Sequence, residues 1–388
     1  MEKAGRKWES TQLQIPIRSL PHKDRVKPKI LILSASFGDG HNSAARNLVG
    51  ALDGRAEVLM ADPCALGNPR INRVICRVYR EITTYTPLIW AWIYRSTDQQ
   101  DFSKPLPFIA KTEDAVADLL DEFQPDIIIN TYPLYPYLVD RLFSTRRRVP
   151  VITVVTDSIE INAAWSRSPS DHFIITDHHT REGLLTQKIP AEKIHIMGFP
   201  VSPRFEQLPK ITATQKTSPF RVLFFPTARS PHLRDIIRAV LAHDTEITVV
   251  LGRNIRRLYK KTHALKKEFP GRIRIKGWTR KVPELLSSHH LVIGKAGGAT
   301  VHEAIAAQCP MLVHHIVPGQ EEGNIELLER FQTGSLATSA TLIDDSLQSL
   351  LANDAQLWRD QKSRLATHAK PAAARHSADF ILSLIATS

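Results

Sequence analysis

Short apolar runs alternate along most of the chain with stretches of helical periodicity. In the first half the runs Lys29–Leu33, Glu57–Met60, Ile127–Asn130, Val151–Val155, Phe173–Ile175 and Ile194–Ile196 read as strands, separated by helical stretches such as Asn42–Leu52, Pro136–Phe143 and Thr180–Leu185. Pro200 to Pro219, rich in Pro, Thr, Lys and Gln, breaks this rhythm and reads as a linker. The alternation then restarts with Val222–Phe225, Ile247–Leu251, Ile273–Ile275, His290–Ile293 and Met311–Val313, between helices through Arg234–Leu241, Ile255–Phe269 and Val282–Ser287. Alternation of this kind is the signature of parallel βαβ units. It predicts an α/β protein with two Rossmann-like, doubly wound domains facing across a cleft. The expected boundaries are a basic N-terminal extension at 1–27, a first domain at 28–202, a linker at 203–219, and a second domain with C-terminal helices at 220–388.

The 388 residues exceed what one hydrophobic core usually serves, and 43% apolar residues suffice for two. A formal net charge of +12 points to a polyanionic partner: nucleic acid, an anionic lipid surface or a phosphorylated ligand. Three scattered cysteines, Cys64, Cys76 and Cys309, form neither a disulfide framework nor a metal pattern, which fits a reducing compartment. The stretch from Met1 to Pro28 is too polar for a signal peptide, and no run approaches the ~20 apolar residues of a membrane span. The expected location is cytoplasmic.

The stretch from Lys295 to Asn324 carries the most chemistry. The strand His290–Ile293 empties into Gly294-Lys295-Ala296-Gly297-Gly298, after which Ala299 and Thr300 lead into a helix that Thr300 can cap. A strand, a glycine turn and a helix N-terminus suit an anion, because free N–H groups and the helix dipole favour negative charge there. Glu303 lies one helical turn further on. The next strand opens at Pro318-Gly319 into a polar loop containing Gln320, Glu321 and Asn324, where ligands of open α/β sheets bind. The spacing is neither that of a Walker loop nor that of the dinucleotide fingerprint.

The first domain begins with its own glycine turn, in which Gly38 and Gly40 precede His41 at the C-terminal edge of the first strand. This placement predicts an exposed imidazole with an ordinary pKa near ~6.5, facing the cleft; a helix-capping histidine is the alternative. Ile71, Val74, Ile75, Val78, Tyr79 and Ile82 define one apolar helix face, followed by a cluster containing Trp90, Trp92 and Tyr94. With Arg70, Arg73, Arg77, Arg80 and Arg95 around it, the cluster has the composition of a membrane-interface segment, and equally that of a core helix pair. The strand Val151–Val155 ends in Thr156-Asp157, which reads either as a functional carboxylate or as a turn cap. A run of basic residues from Arg253 to Lys267 forms a solvated face or an anionic-lipid contact.

These motifs resemble the family of monogalactosyldiacylglycerol synthases and processive diacylglycerol glucosyltransferases, with a more distant likeness to the N-acetylglucosaminyltransferase that makes lipid II. The strings are ASFGDGHNSAA around His41, TD followed by Trp165 and Asp171-His172-Phe173, Gly198-Phe199-Pro200-Val201, Gly252-Arg253-Asn254, and KAGGATVHEA with PGQEEGN. The resemblance spans roughly residues 28 to 335 and implies a GT-B glycosyltransferase that moves glucose or galactose, with inversion, from its UDP carrier to diacylglycerol or a related lipid at the cytoplasmic membrane face. It implies no cofactor and no divalent metal. Donor contacts would fall on Lys295, Gly297, Gly298, Ala299, Thr300 and Glu303, on Gln320, Glu321 and Asn324, on Arg253 and Asn254, and on Gly277, Trp278 and Thr279 at the uracil edge. Acceptor and membrane contacts would fall on Gly38, Gly40, Trp90, Trp92 and Tyr94, and His41 and Asp157 would act on the acceptor hydroxyl. The chain departs from the family in three places, one being that Glu160 and Asn162 stand between Asp157 and Trp165, where relatives often have a histidine. Ser36 stands where many plant-type members have an acidic residue, and Phe225-Pro226-Thr227-Ala228-Arg229-Ser230 replaces a glycine-rich turn, leaving Thr227, Arg229 and Ser230 as side-chain candidates for phosphate. A UDP-sugar 2-epimerase shares the two-domain plan but needs no lipid-facing segment. A basic nucleic-acid-binding protein fits the charge but lacks the aromatic-and-basic strings of such modules, so no nucleic acid is expected.

Overall fold

The computed structural model of the chain describes residues 27–104, 109–227 and 232–386. Two six-stranded parallel sheets organise it. The first contains β1 (Lys29–Leu33), β2 (Glu57–Ala61), β3 (Ile127–Asn130), β4 (Val151–Val154), β5 (His172–Ile175) and β6 (Ile194–Ile196), in the order β2-β1-β3-β4-β5-β6. The second contains β7 (Phe220–Phe224), β8 (Thr245–Val250), β9 (Ile273–Lys276), β10 (Leu291–Lys295), β11 (Met311–His315) and β12 (Gly334–Leu336), in the order β12-β11-β10-β7-β8-β9. Parallel sheets are covered on both faces, so their strands run as continuous apolar stretches. Ile127, Ile128 and Ile129, all without solvent exposure, illustrate this. The winding direction reverses between β1 and β3 in one sheet and between β7 and β10 in the other. Each reversal opens a crevice at the C-terminal strand ends, where ligands of such sheets bind.

The strands agree with the apolar runs to within one or two residues, apart from β12, which is short and half-polar. The domain boundaries need two corrections. The 203–219 segment is not a loose linker: Phe205 and Ile211 are buried in the second domain's core clusters, and a short helix forms over Arg204–Gln207. The final helix, Ala373–Ala386, does not belong to the second domain. Its Ala378 and Ile381 join the core beneath β1, β3 and β4, and Asp379 pairs with Arg55 at 2.7 Å. The N-terminal extension lies outside the described residues apart from Lys27.

Candidate active site

At the end of β1 the chain passes through Gly38, whose φ of +93° is open to glycine at little cost, and enters the helix Asp39–Leu52. His41 sits in the first turn of this helix and is buried, contrary to the exposed ring expected from its position. Its Nδ1 lies 3.0 Å from Thr156 Oγ1, and Tyr132 meets the ring edge-on at 5.3 Å. Burial pushes the imidazole down to about 4, opposed only by a hydrogen bond to the Thr131 backbone, so the expected ordinary pKa does not hold. Ser36 donates its hydroxyl and its backbone N–H to Asp62 Oδ2 at 2.7 and 3.0 Å. A carboxylate therefore stands beside the serine after all, supplied from the end of β2.

β4 leads into Thr156, Asp157 and Ser158. Asp157 Oδ2 accepts the Trp165 indole N–H at 2.8 Å and the Tyr94 hydroxyl at 3.4 Å. Burial nevertheless raises the carboxyl to about 6, outweighing those two hydrogen bonds, and the nearby Glu321 charge adds to the rise. His41, Asp157 and Gln320 line a cavity of about 750 Å³. The remaining wall is largely apolar, with Phe37, Ile75, Ile82 and Ile93 among its residues. Much of this wall belongs to the helices Pro69–Tyr85 and Pro87–Thr97, with Phe37 joining from the end of β1.

Among the described residues, the apolar face of the Pro69–Tyr85 helix is neither core nor covered. Ile71, Val74, Ile75 and Val78 are exposed, and the residues it buries are Asn72 and Thr83. The aromatic cluster divides in two. Trp92 is 72% exposed, whereas Trp90 packs edge-on against Tyr79 at 4.8 Å and, like Tyr94, lines the cavity. Trp90 and Tyr94 are thus part of the cavity wall, and among the three only Trp92 faces outward.

On the other side of the cleft, β10 ends at Lys295 and the helix Gly298–Ala306 begins with Gly297 at its N-cap. Thr300 lies inside this helix and is not its cap. Lys295 Nζ pairs with Glu321 Oε1 at 2.7 Å, and Val317 donates its backbone N–H to Glu321 Oε2 at 2.9 Å. Burial works to lower the Lys295 ammonium, but Glu321 with Tyr79 and Asp39 outweighs it and holds the group above the ordinary lysine value. Asn324 is buried and donates to the Ala296 carbonyl at 2.9 Å. The structure therefore uses Glu321 and Asn324 to hold the glycine turn. Of the three loop residues expected at the sugar, Gln320 alone lines the large cavity, where its Oε1 accepts the Tyr79 hydroxyl at 3.0 Å. Glu303 is half-buried where the helix meets the first domain, and burial raises it to about 7 against the pull of Arg46.

The two halves touch through glycine. A methyl group at Gly298 would come within 2.8 Å of the Thr156 carbonyl oxygen, and one at Gly323 would overlap the Ser158 carbonyl. Gly319, at φ +83°, packs under Tyr94 and Ala91. Ser158 Oγ also lies 2.9 Å from His302 Nε2, a contact across the domains. Gly40 and Ala299 lie in the first turns of their helices, Asp39–Leu52 and Gly298–Ala306. Gly277, Trp278 and Thr279 follow β9, and Arg253 follows β8, on the same edge of the second sheet as the glycine turn. Trp278 is 57% exposed, with the Arg280 guanidinium 5.6 Å from its ring. Arg229, Ser230 and the side chain of Asn254 lie outside the described residues.

Tyr79, Trp165, Ser158, His302 and Asp62 thus belong to the site although the motifs assigned them no part in it. Tyr79 was counted in an apolar helix face. His302 stands beside Glu303 in the KAGGATVHEA string, but its partner lies 144 residues away in sequence.

The comparisons with known proteins agree with this geometry. The sequence profile of the Monogalactosyldiacylglycerol (MGDG) synthase family matches residues 41–201. A processive diacylglycerol beta-glucosyltransferase of Bacillus subtilis (strain 168) is 25% identical over 346 residues, 86% of this chain and 90% of that protein. One from Bacillus cereus (strain B4264) is also 25% identical, over 92% of this chain and 93% of that protein. In sequence the chain is similar to these diacylglycerol glycosyltransferases. Its fold is the GT-B fold: Acinetobacter baumannii MurG superposes with a TM-score of 0.59 at 15% identity, covering 92% of this chain and 99% of that one. The UDP-GlcNAc 2-epimerase of Neisseria meningitidis, solved with UDP-GlcNAc, superposes with a TM-score of 0.57 at 13% identity, over 92% and 100% of the two chains. The MGDG-synthase match covers His41, the helices that wall the cavity, and Asp157.

Proposed function

We propose that this protein is a lipid glycosyltransferase that moves glucose or galactose from a UDP-sugar to the hydroxyl of diacylglycerol or a related lipid, with inversion, at the cytoplasmic membrane face. The observation that carries this reading is the meeting of the apolar cavity and the glycine-capped helix at Asp157. An acyl-bearing acceptor suits a largely apolar cavity of about 750 Å³ lined also by His41, Asp157 and Gln320. A UDP diphosphate suits the N-terminus of the Gly298–Ala306 helix.

Asp157 is the general base of this scheme. Its Oδ2 is held by Trp165 and Tyr94, and its raised pKa makes it a stronger base than an ordinary aspartate. The carboxylate takes the acceptor proton as the acceptor oxygen attacks the anomeric carbon. The carbon–oxygen bond to UDP breaks, and the departing negative charge is stabilised by the helix N-terminus and by Lys295. No divalent metal and no cofactor enter the scheme. His41, too weakly basic at about 4, orients the acceptor hydroxyl and the Thr156 loop.

Membrane contact is assigned to the exposed apolar row Ile71, Val74, Ile75 and Val78 together with Leu88 and Trp92, which adjoins the cavity. Among the described residues no helix is long and apolar enough to cross a membrane. The test is incubation with radiolabelled UDP-glucose or UDP-galactose and mixed lipids. Label is expected in the organic phase with one of the two sugars. If label stays in water for both while the UDP-sugar is epimerised or intact, the proposal fails.

A further inference from the structure

A second, smaller cavity of about 210 Å³ lies between the two domains, apart from the cavity described above. Three parts of the chain form it. The first domain contributes the start of the helix His178–Thr186 and Gly198 and Phe199 in the stretch after β6. The second contributes His302, Ile305 and Phe331, and the segment that crosses back contributes His368 and Lys370.

Its polar groups are distinctive in what they lack. Among the described residues, no hydrogen bond or ion pair holds Lys370 Nζ or the ring nitrogens of His178 and His368, whereas other cavity-lining groups have partners. Asp177 caps its helix and takes hydrogen bonds from Thr176 and Thr180, and His302 faces Ser158. His368 stacks flat on Phe331 at 3.8 Å and His302 on Phe199 at 5.2 Å, so both rings are held in place before any ligand arrives. A lysine offers donors only; the Asp177 carboxylate in the same wall acts on the half-buried Lys370 ammonium through space but makes no hydrogen bond to it, so its donors stay open. The group that completes it accepts hydrogen bonds and carries negative charge.

We propose that this interdomain cavity is a second ligand site, for a small soluble phosphate-class anion held by Lys370 with His178 and His368, and that its occupancy favours the closed arrangement of the domains. A ligand that touches both domains binds this arrangement better than an open one, and so shifts the population toward it. The link to the donor is short. His302 in the wall of this cavity and Gly298 at the donor terminus belong to the same nine-residue helix, and Ser158, which faces His302, follows Asp157 directly.

The experiment measures binding of radiolabelled inorganic phosphate to the full chain by equilibrium dialysis with saturating UDP present, so that the donor site is filled. It is paired with the KM for the UDP-sugar with and without phosphate. One phosphate per chain is expected in the presence of UDP, with affinity at least tenfold weaker in Lys370→Met and reduced in His368→Ala, whose side chain is exposed and whose loss leaves the fold intact. Phosphate is also expected to lower the donor KM about threefold in the wild type and not in Lys370→Met. Simple competition at the diphosphate site moves KM the opposite way. The proposal is overturned if UDP abolishes phosphate binding, if both variants bind phosphate like the wild type, or if phosphate only raises KM. Binding seen with phosphatidic acid vesicles but not with free phosphate overturns it as well, since a cavity this small then serves a lipid headgroup.

Discussion

Trp165 donates its indole N–H to Asp157 Oδ2 at 2.8 Å while burial holds that carboxyl near 6, two units above its neighbour in the cavity, His41, at about 4. The separation decides between two bases by pH alone. A base works when deprotonated, so kcat/KM rises with pH through the pKa of the group that serves. The acid limb is expected near pH 6 in the wild type and absent in Asp157→Asn, whose turnover falls by ~10²–10⁴. A limb near pH 4 that survives in Asp157→Asn assigns the base to His41.

Glu303 offers a pH test of its own. If its carboxylate accepts hydroxyls from the donor ribose, the donor KM worsens as pH falls through about 7, and Glu303→Gln raises it more than tenfold with no remaining pH dependence in that range. Stability moves in the other direction. The folded pKa lies above the unfolded one, so the protonated form stabilises the fold at low pH and that contribution is lost as pH rises through about 7. Glu303→Gln is therefore more stable than the wild type at pH 8, and no more stable at pH 4. Thermal melts at the two pH values check this.

Trp90 and Trp92 are expected to part company. Trp92→Ala lowers sedimentation with anionic vesicles, most clearly at high salt where surface attraction is screened, and leaves turnover on detergent-dispersed acceptor near normal. Trp90→Ala leaves vesicle binding largely intact and raises the acceptor KM several-fold, because its ring packs on Tyr79 inside the cavity wall. Equal effects of the two substitutions on both readouts remove the distinction.

Gly323→Ala tests the closeness of the domains. The new methyl overlaps the Ser158 carbonyl, so the domains must separate locally, carrying Asp157 away from the glycine-capped helix. A loss of turnover of about a hundredfold is expected, on the scale of an ångström-sized misplacement of reacting groups. Gly50→Ala is the control: no atom lies within 4 Å of its added methyl, and helix propensity favours alanine by roughly 0.5–1 kcal/mol.

The two sheets were legible in the chain because buried parallel strands leave uninterrupted apolar runs, and the crevices followed from the glycine turns at strand ends. Other features were hidden for physical reasons. Periodicity reveals that the Pro69–Tyr85 helix has an apolar face but not that, among the described residues, it stays exposed. His41 stands next to a glycine turn, which suggested exposure; its burial depends on Thr156 and Tyr132, which only the sheet brings near. Glu321 and Asn324 looked like free polar loop residues because their partners, Lys295 and the Ala296 carbonyl, belong to the preceding βα turn.

The chain passes between the domains twice, once near Pro200 and again near Lys370, where Lys370 packs on Gly198 before the last helix settles on the first sheet. Two adjacent tethers act as the two leaves of a door hinge: they leave opening and closing free but resist twisting and sliding. Each closure therefore returns the Thr156–Ser158 loop to the same glycines. Alignment of the two sides of the cleft becomes a property of the connection between the domains, so it can survive the repeated opening that the proposed sugar transfer to a lipid requires.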